Sequence, residues 1–337
     1  MKTRSSTILL KYNNQDATEV ITNDLEGFSW VDSANGQADT ISLTLNNQSM
    51  RWLKGFFPAD TDYIKMWIKV THWRWMKDIR KKYCGKFQVD DFSAGGVPNT
   101  VDIKGISVPI HTGFHKTMRT KTYKNTSVKN ILQDIAKRAG VKLVFDSENI
   151  KIKEISQTAT SDMSFAFSLC SDYGLSMKVY NGKIVVYDQT KYEKKDPAYT
   201  IDFSELGESG AYSYHRTLAN MYDGVKLQYS GSDGKNVTYK YVIPKKKGNN
   251  MLMISGSAES HADAERKAKA GLMAKLREVD VITLKLMGDP KYTSCNNLKL
   301  TGFGKLNGIY FIDEASHEKS SKYITTLKCH KVVTQIG

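Results

Sequence analysis

Residues 40–45 alternate without a break, with Ile41, Leu43 and Leu45 on one face and Thr40, Ser42 and Thr44 on the other. A period of two is that of a strand with one buried face. The same reading gives strands at Ser6–Tyr12, Phe28–Asp32, Tyr63–Trp73, Tyr83–Asp91 and Thr100–Val108, and one short helix at Trp52–Phe57. The turn cluster Asn13-Asn14-Gln15-Asp16 follows the first strand. Short strands separated by turns predict a barrel or sandwich for residues 1–112. In Tyr63–Trp73, Met66, Ile68 and Val70 oppose Trp67, Lys69 and Thr71. Apolar bulk on both faces predicts that both are covered, as in an assembly.

The period changes over residues 113–195. Val128, Ile131, Leu132, Ile135, Ala136 and Ala139 follow helical spacing, after Thr126 or Ser127 as cap and before Gly140 as stop. A strand Val141–Phe145, a helix Met163–Tyr173 capped by Asp162, and a hairpin around Asn181-Gly182 complete a small α+β insert. Residues 196–337 return to β, with strands at Tyr222–Tyr229, Val237–Ile243, Val281–Leu286, Asn297–Leu300, Gly308–His317 and Lys322–Val333. Gly231-Ser232-Asp233-Gly234 reads as the turn between the first two of these. One long helix, Ser260–Leu276, carries Ala264, Ala268, Leu272 and Leu276 as a stripe that fits closely on a sheet or a neighbouring chain. The expected fold class is mainly β with an α+β insert: a first barrel at 1–112, the insert at 113–195 and a second barrel with one long helix at 196–337.

Charge adds one fact to this picture. Lys plus Arg number 49 against 35 Asp plus Glu, a net charge of +14 in 337 residues. An excess of this kind favours an acidic partner, whether nucleic acid, membrane surface or protein. It is spread over Arg74–Lys86, His115–Lys129, Lys191–Lys195 and Lys245–Lys247 rather than gathered in one block. No apolar run approaches the roughly 18 residues of a membrane-spanning helix. Ile8-Leu9-Leu10 is shorter than a signal-peptide core of about 7–15 residues, so no secretory export is expected. Cys84, Cys170, Cys295 and Cys329 are far apart and read as buried free thiols, Cys170 inside an apolar helical pattern and Cys329 in a strand-like one.

A search for chemistry returns little. Gly302-Phe303-Gly304 lacks the later glycine and the helix of a dinucleotide loop. Ser255-Gly256-Ser257 has the wrong frame for a nucleophile elbow. His111 and His115 are four apart, but Gly113 between them argues against one metal-binding helical face. His317-Glu318 is expected at a strand end facing solvent. Asp90-Asp91 and Asp313-Glu314 are adjacent on strands and point to opposite faces, and Glu205 with Glu208 reads as surface acids. Trp73-Arg74-Trp75 suits either base stacking or an interface, and the basic stretch His115–Lys124 suits a connector or an acidic protein edge. No catalytic, cofactor or metal residues are assigned.

The order of elements is informative as a whole. Val101–Ile106 leads into Arg119–Ser127, then the helix ending Ile135-Ala136-Lys137-Arg138-Ala139-Gly140 and the strand Val141–Phe145. Near the end come Gly288-Asp289-Pro290, Leu300–Gly304, Gly308–Ile312, His317 and Tyr323–Leu327. This arrangement resembles the late control protein D family of phage tail hubs, including those of Gram-positive contractile phages and phage-tail-like bacteriocins, with the plan also used by type VI secretion VgrG spikes. Lys291–Ser294 departs from it where such hubs often carry a Pro-Gly turn. The resemblance implies a non-enzymatic homotrimer whose two barrels per chain form a pseudo-sixfold ring. That ring would join a hexameric tail tube protein to a trimeric central spike, beside other baseplate proteins and the tape measure protein. It also implies a virion or tail-like particle assembled in the bacterial cytoplasm, without cofactor, specific nucleic acid or membrane insertion. A tail-associated peptidoglycan hydrolase and a nucleic-acid-binding protein are the alternatives.

Overall fold

A computed structural model describes residues 3–59, 61–109, 113–206, 211–230 and 236–334. The turn read at Gly231–Gly234 lies outside them, as do His111 and Glu208. The first β region comprises β1 (Ser5–Tyr12), the two-residue β2 (Gln15–Asp16), β3 (Leu25–Ser33), β4 (Thr40–Asn46), β5 (Tyr63–Thr71), β6 (Ile79–Gly95) and β7 (Thr100–Ile106). Helix α1 (Thr18–Asp24) was not legible in the sequence, and α2 (Arg51–Lys54) is shorter than expected. The main strands pair in the order β1-β5-β6-β7-β4-β3. Ile8 and Leu10 from one end of this run share a cluster with Phe28 and Trp30 from the other. The run therefore curls around one apolar core.

The insert begins with the ribbon of β8 (Met118–Ser127) and β10 (Lys151–Ser161). Its core lies under α3 (Val128–Arg138) and α4 (Asp162–Asp172), which pack on β9 (Lys142–Asp146), β11 (Leu175–Tyr180) and β12 (Lys183–Asp188). Ser127 and Ser161 accept hydrogen bonds from the amides of Asn130 and Ser164 and so cap the two helices. The β11–β12 turn is Asn181-Gly182, both at positive φ, as a tight hairpin demands. Short α5 (Gln189–Glu193) leads back to the second β region.

That region contains β13 (Tyr199–Asp202) and β14 (Ala211–Arg216). A separate small sheet follows, of β15 (Gly224–Ser230), β16 (Asn236–Val242) and β17 (Met251–Ser255), covered by α6 (His261–Arg277). The stripe Ala264, Ala268 and Leu272 packs on this sheet within the same chain. The chain then adds β18 (Asp280–Met287), β19 (Asn297–Thr301), β20 (Gly308–Lys319) and β21 (Tyr323–Lys331). Ile201, Ile282, Leu300, Tyr310 and Leu327 share one core, against which Tyr214 of β14 packs.

The fold is mainly β, as expected, but the two β regions are not separate sheets. Strand β20 pairs antiparallel with β3 over six residue pairs, from Glu314↔Ser33 to Lys319↔Phe28. Everything outside the insert and the α6 layer thus belongs to one 13-stranded sheet. Leaving β2 aside, each half contributes six strands around its own core. Strand β5 ends at Thr71, where His72 turns to positive φ. Its inward face, Ile64, Met66, Ile68 and Val70, is fully buried, whereas the outward face with Trp67 and Lys69 is half-exposed. Within the chain, then, one face is covered and the other stays half-buried.

Candidate assembly surfaces and the buried junction

The residues first considered for chemistry are scattered. His115 is exposed. Glu205 is exposed and accepts from the Asp202 amide. Asp91 pairs with Lys104, and Glu314 with Lys328. No group of three or more metal-ligating side chains forms among the described residues. No helix among them is long and apolar enough to cross a membrane. Trp73 is buried and donates from Nε1 to the Gly288 carbonyl at 2.5 Å, while Trp75 is 66% exposed, so the two do not form one stacking platform. Cys84, Cys170 and Cys329 are buried, and Cys295 is partly so.

His317 overturns the expectation of a solvent-facing residue. Strand β20 runs on to Lys319, which turns His317 inward to 0% exposure. Its Nδ1 lies 2.8 Å from the Tyr323 hydroxyl, its Nε2 lies 3.0 Å from the Tyr292 carbonyl oxygen, and its ring stacks on Trp30 at 4.9 Å. Burial pushes its pKa down to about 4. The ring is a neutral core member at the seam between β3 and β20.

Around this seam the structure concentrates buried charge. Lys178 of β11 reaches across to Asp32 of β3, to Asp39 at 3.2 Å and to the Ser294 hydroxyl at 3.2 Å. Asp32 accepts in addition from the Ser294 amide at 2.8 Å. Burial drives the Asp39 carboxyl up to about 8, against the pull of Lys178. Burial opposes the charge on Lys178, yet Asp39 and Asp32 raise its pKa above the ordinary value. A cavity of about 280 Å³ opens beside this group, lined by Trp30, Lys178, Tyr187 and Cys295 among others. A second network joins Glu193 to Arg277 at 2.6 Å and to His330 at 3.2 Å, and His330 to Asp313 at 2.8 Å. A third ties Arg80 to Asp289 at 2.7 Å. These contacts clamp the first half, the insert, α6 and the second half together, because each buried charge lacks water as an alternative partner.

What remains open lies at the periphery. Strand β14 pairs only with β18, and β1 pairs with β5 and, in its last two residues, with β2, so both ends of the great sheet present free edges among the described residues. Exposed apolar groups gather at the β5–β6 turn, where Trp75, Met76 and Ile79 are 66%, 72% and 59% exposed. They gather again around α2, at Met50, Leu53, Phe56 and Phe57. Free edges and apolar patches of this sort are the hallmarks of surfaces that meet other chains.

The fold defined by this sheet, its insert and its α6 layer is that of phage tail and type VI secretion proteins. The chain is similar to a tail protein from Neisseria meningitidis MC58, with a TM-score of 0.72, 10% identity and 97% of each chain covered. It is similar to the 43 kDa tail protein of prophage MuSo2 from Shewanella oneidensis, with a TM-score of 0.72, 10% identity, and 96% of this chain and 98% of that one covered. The c3393 protein of E. coli, described as a type VI secretion component structurally similar to the T4 tail proteins gp27 and gp5, matches with a TM-score of 0.60 and 10% identity, over 93% of this chain and 75% of that one. No protein-family profile matches the sequence, and none of the curated proteins matches it.

Proposed function

We propose that this chain is a structural hub of a contractile tail baseplate, joining the tail tube to the central spike within a virion or tail-like particle. The observation that carries the reading is the splice of two six-stranded curled runs through β3 and β20. Three copies of such a chain supply six comparable β units and so reconcile a threefold spike with a sixfold tube. The fold it shares with tail proteins supports the same reading. The free edges of β1 and β14 suit closure of a ring by strand addition between copies. The role is mechanical: buried area, augmented sheet and shape fit supply the free energy. The bounds read from the sequence, 1–112, 113–195 and 196–337, are proposed as its three parts.

Light scattering tests the reading. The chain, alone or mixed with its tube and spike proteins, is expected at three copies of 38.0 kDa. A chain that stays monomeric and binds neither protein refutes it.

A further inference from the structure

The outward face of β1, β5 and β6 carries a pattern that the hub role alone does not require. Lys11, Lys65 and Lys86 stand directly opposite one another on three neighbouring strands. Further along, Lys69 stands opposite Lys81. Between the two rows lie Trp67 and Tyr83, their rings 4.9 Å apart, and Tyr63 flanks the first row. Like charges placed opposite one another on adjacent strands, about 4.8 Å apart, work against the sheet. The usual remedy is an interleaved acid. Here none of the five lysines forms an ion pair among the described residues. Lys65 donates to Asn14 at 2.7 Å, Lys86 and Lys81 lie over the rings of Tyr63 and Trp67 at 3.8 and 4.9 Å, and Lys11 and Lys69 make no such contact. Asp16, opposite Lys11, feels the charge of Lys11 and Lys81, but it forms no ion pair with either and accepts the Thr18 amide at 2.9 Å, which leaves one carboxylate against five lysines. Some cross-strand and neighbouring lysines elsewhere do meet an acid, as Lys104 meets Asp91, Lys121 meets Asp134 and Lys328 meets Glu314.

We infer that this face is a docking surface for an acidic protein surface, belonging to another component of the particle, that lays carboxylates between the two lysine rows. The inference rests on the hub reading. The half-buried aromatic strip and the rows of point charges on both sides fit a protein partner with an apolar centre and an acidic rim. Two features disfavour a nucleic-acid backbone: the face has no arginine, and the Tyr83 hydroxyl is bonded to Asn181 at 3.0 Å.

The test uses tail particles purified from the producing cells. Zero-length carboxyl-to-amine coupling of intact particles, read by mass spectrometry, is expected to link Lys65, Lys69, Lys81 or Lys86 to Asp or Glu of a different polypeptide. A Lys65→Glu/Lys69→Glu/Lys81→Glu variant is expected to melt as the wild-type chain does, while particle yield falls at least tenfold. The inference is overturned if these lysines stay as reactive to acetylation in the particle as in the free chain, or if the variant assembles at wild-type yield. Protection that nuclease treatment abolishes overturns it too, and assigns the face to nucleic acid. Absence of the chain from purified particles refutes the hub reading instead, a result distinct from all of these.

Discussion

Replacing Lys178 by Met removes the ammonium that pairs with Asp32 and Asp39 and leaves those two carboxyls, 4% and 0% exposed, without it. Methionine fills most of the lysine's volume, so the change is one of charge more than of packing. Removing one partner of a buried ion pair costs about 3–5 kcal/mol. At roughly 2 °C per kcal/mol for a chain of this size, the thermal midpoint at pH 7 should drop by about 6–10 °C. The pH dependence identifies the cause. Asp39 is pushed up to about 8 even with Lys178 present, and losing the ammonium raises it further. A carboxyl whose folded pKa exceeds its unfolded value contributes stability at low pH and loses it as pH rises through the folded value. Wild type and variant both hold the Asp39 proton at pH 7 and below, so the gap is level there and widens as pH rises through 8, where wild type alone releases that proton. One proton retained over one pH unit is worth about 1.4 kcal/mol, so the gap should widen by roughly that much between pH 7 and pH 9. Adding Asp39→Asn to Lys178→Met should abolish the widening. Scanning calorimetry at pH 7 and pH 9 decides the matter. A gap under about 2 °C at pH 7, or one no wider at pH 9, refutes the view that these charges clamp the junction.

Burial opposes the charge on His330, but Asp313 and Glu193 hold its pKa up to about 9, so its contribution is complete below pH 6.5 and is lost as pH rises through 9. His330→Gln should accordingly lower the melting midpoint at pH 6 and converge with wild type by about pH 10. His317, pushed down to about 4 by burial, stabilises the fold as the neutral ring above pH 6.5 and loses that contribution as pH falls through 4. Its ring-proton NMR signals should stay put between pH 8 and 5.5, and a midpoint near 6.5 would contradict the burial described. At Gly224 an added methyl would meet the Tyr241 carbonyl oxygen at 2.1 Å, so Gly224→Ala should destabilise the β15–β17 sheet by about 1–3 kcal/mol in urea melts.

Much of the fold is legible where one face of an element is buried. The alternation in β4 and the spacing in α3 name their buried residues directly. The ribbon strand β10 is not legible in the sequence because among the described residues it pairs only with β8 and most of its side chains stay in water, so Lys151–Ser161 carries little apolar signal. The junction was hidden for another reason. Asp32 and Lys178 are 146 residues apart, and each alone resembles a surface charge. One clue was present: Phe28, Trp30 and Asp32 share a face by the period of two, which places a carboxylate on the core side. His317 carries the same clue, following Ala315 on the inward face of β20, but the apolar signal stops at that residue, short of the strand's end at Lys319.

The ladder between β3 and β20 has a mechanical corollary. Pulled along the strand axis, six antiparallel residue pairs must slide past one another together, whereas a flexible tether would let each lobe swing alone. With Trp30 stacked on His317 behind that seam, a force applied to one lobe passes to the other through stiff backbone, and the two lobes move as one body.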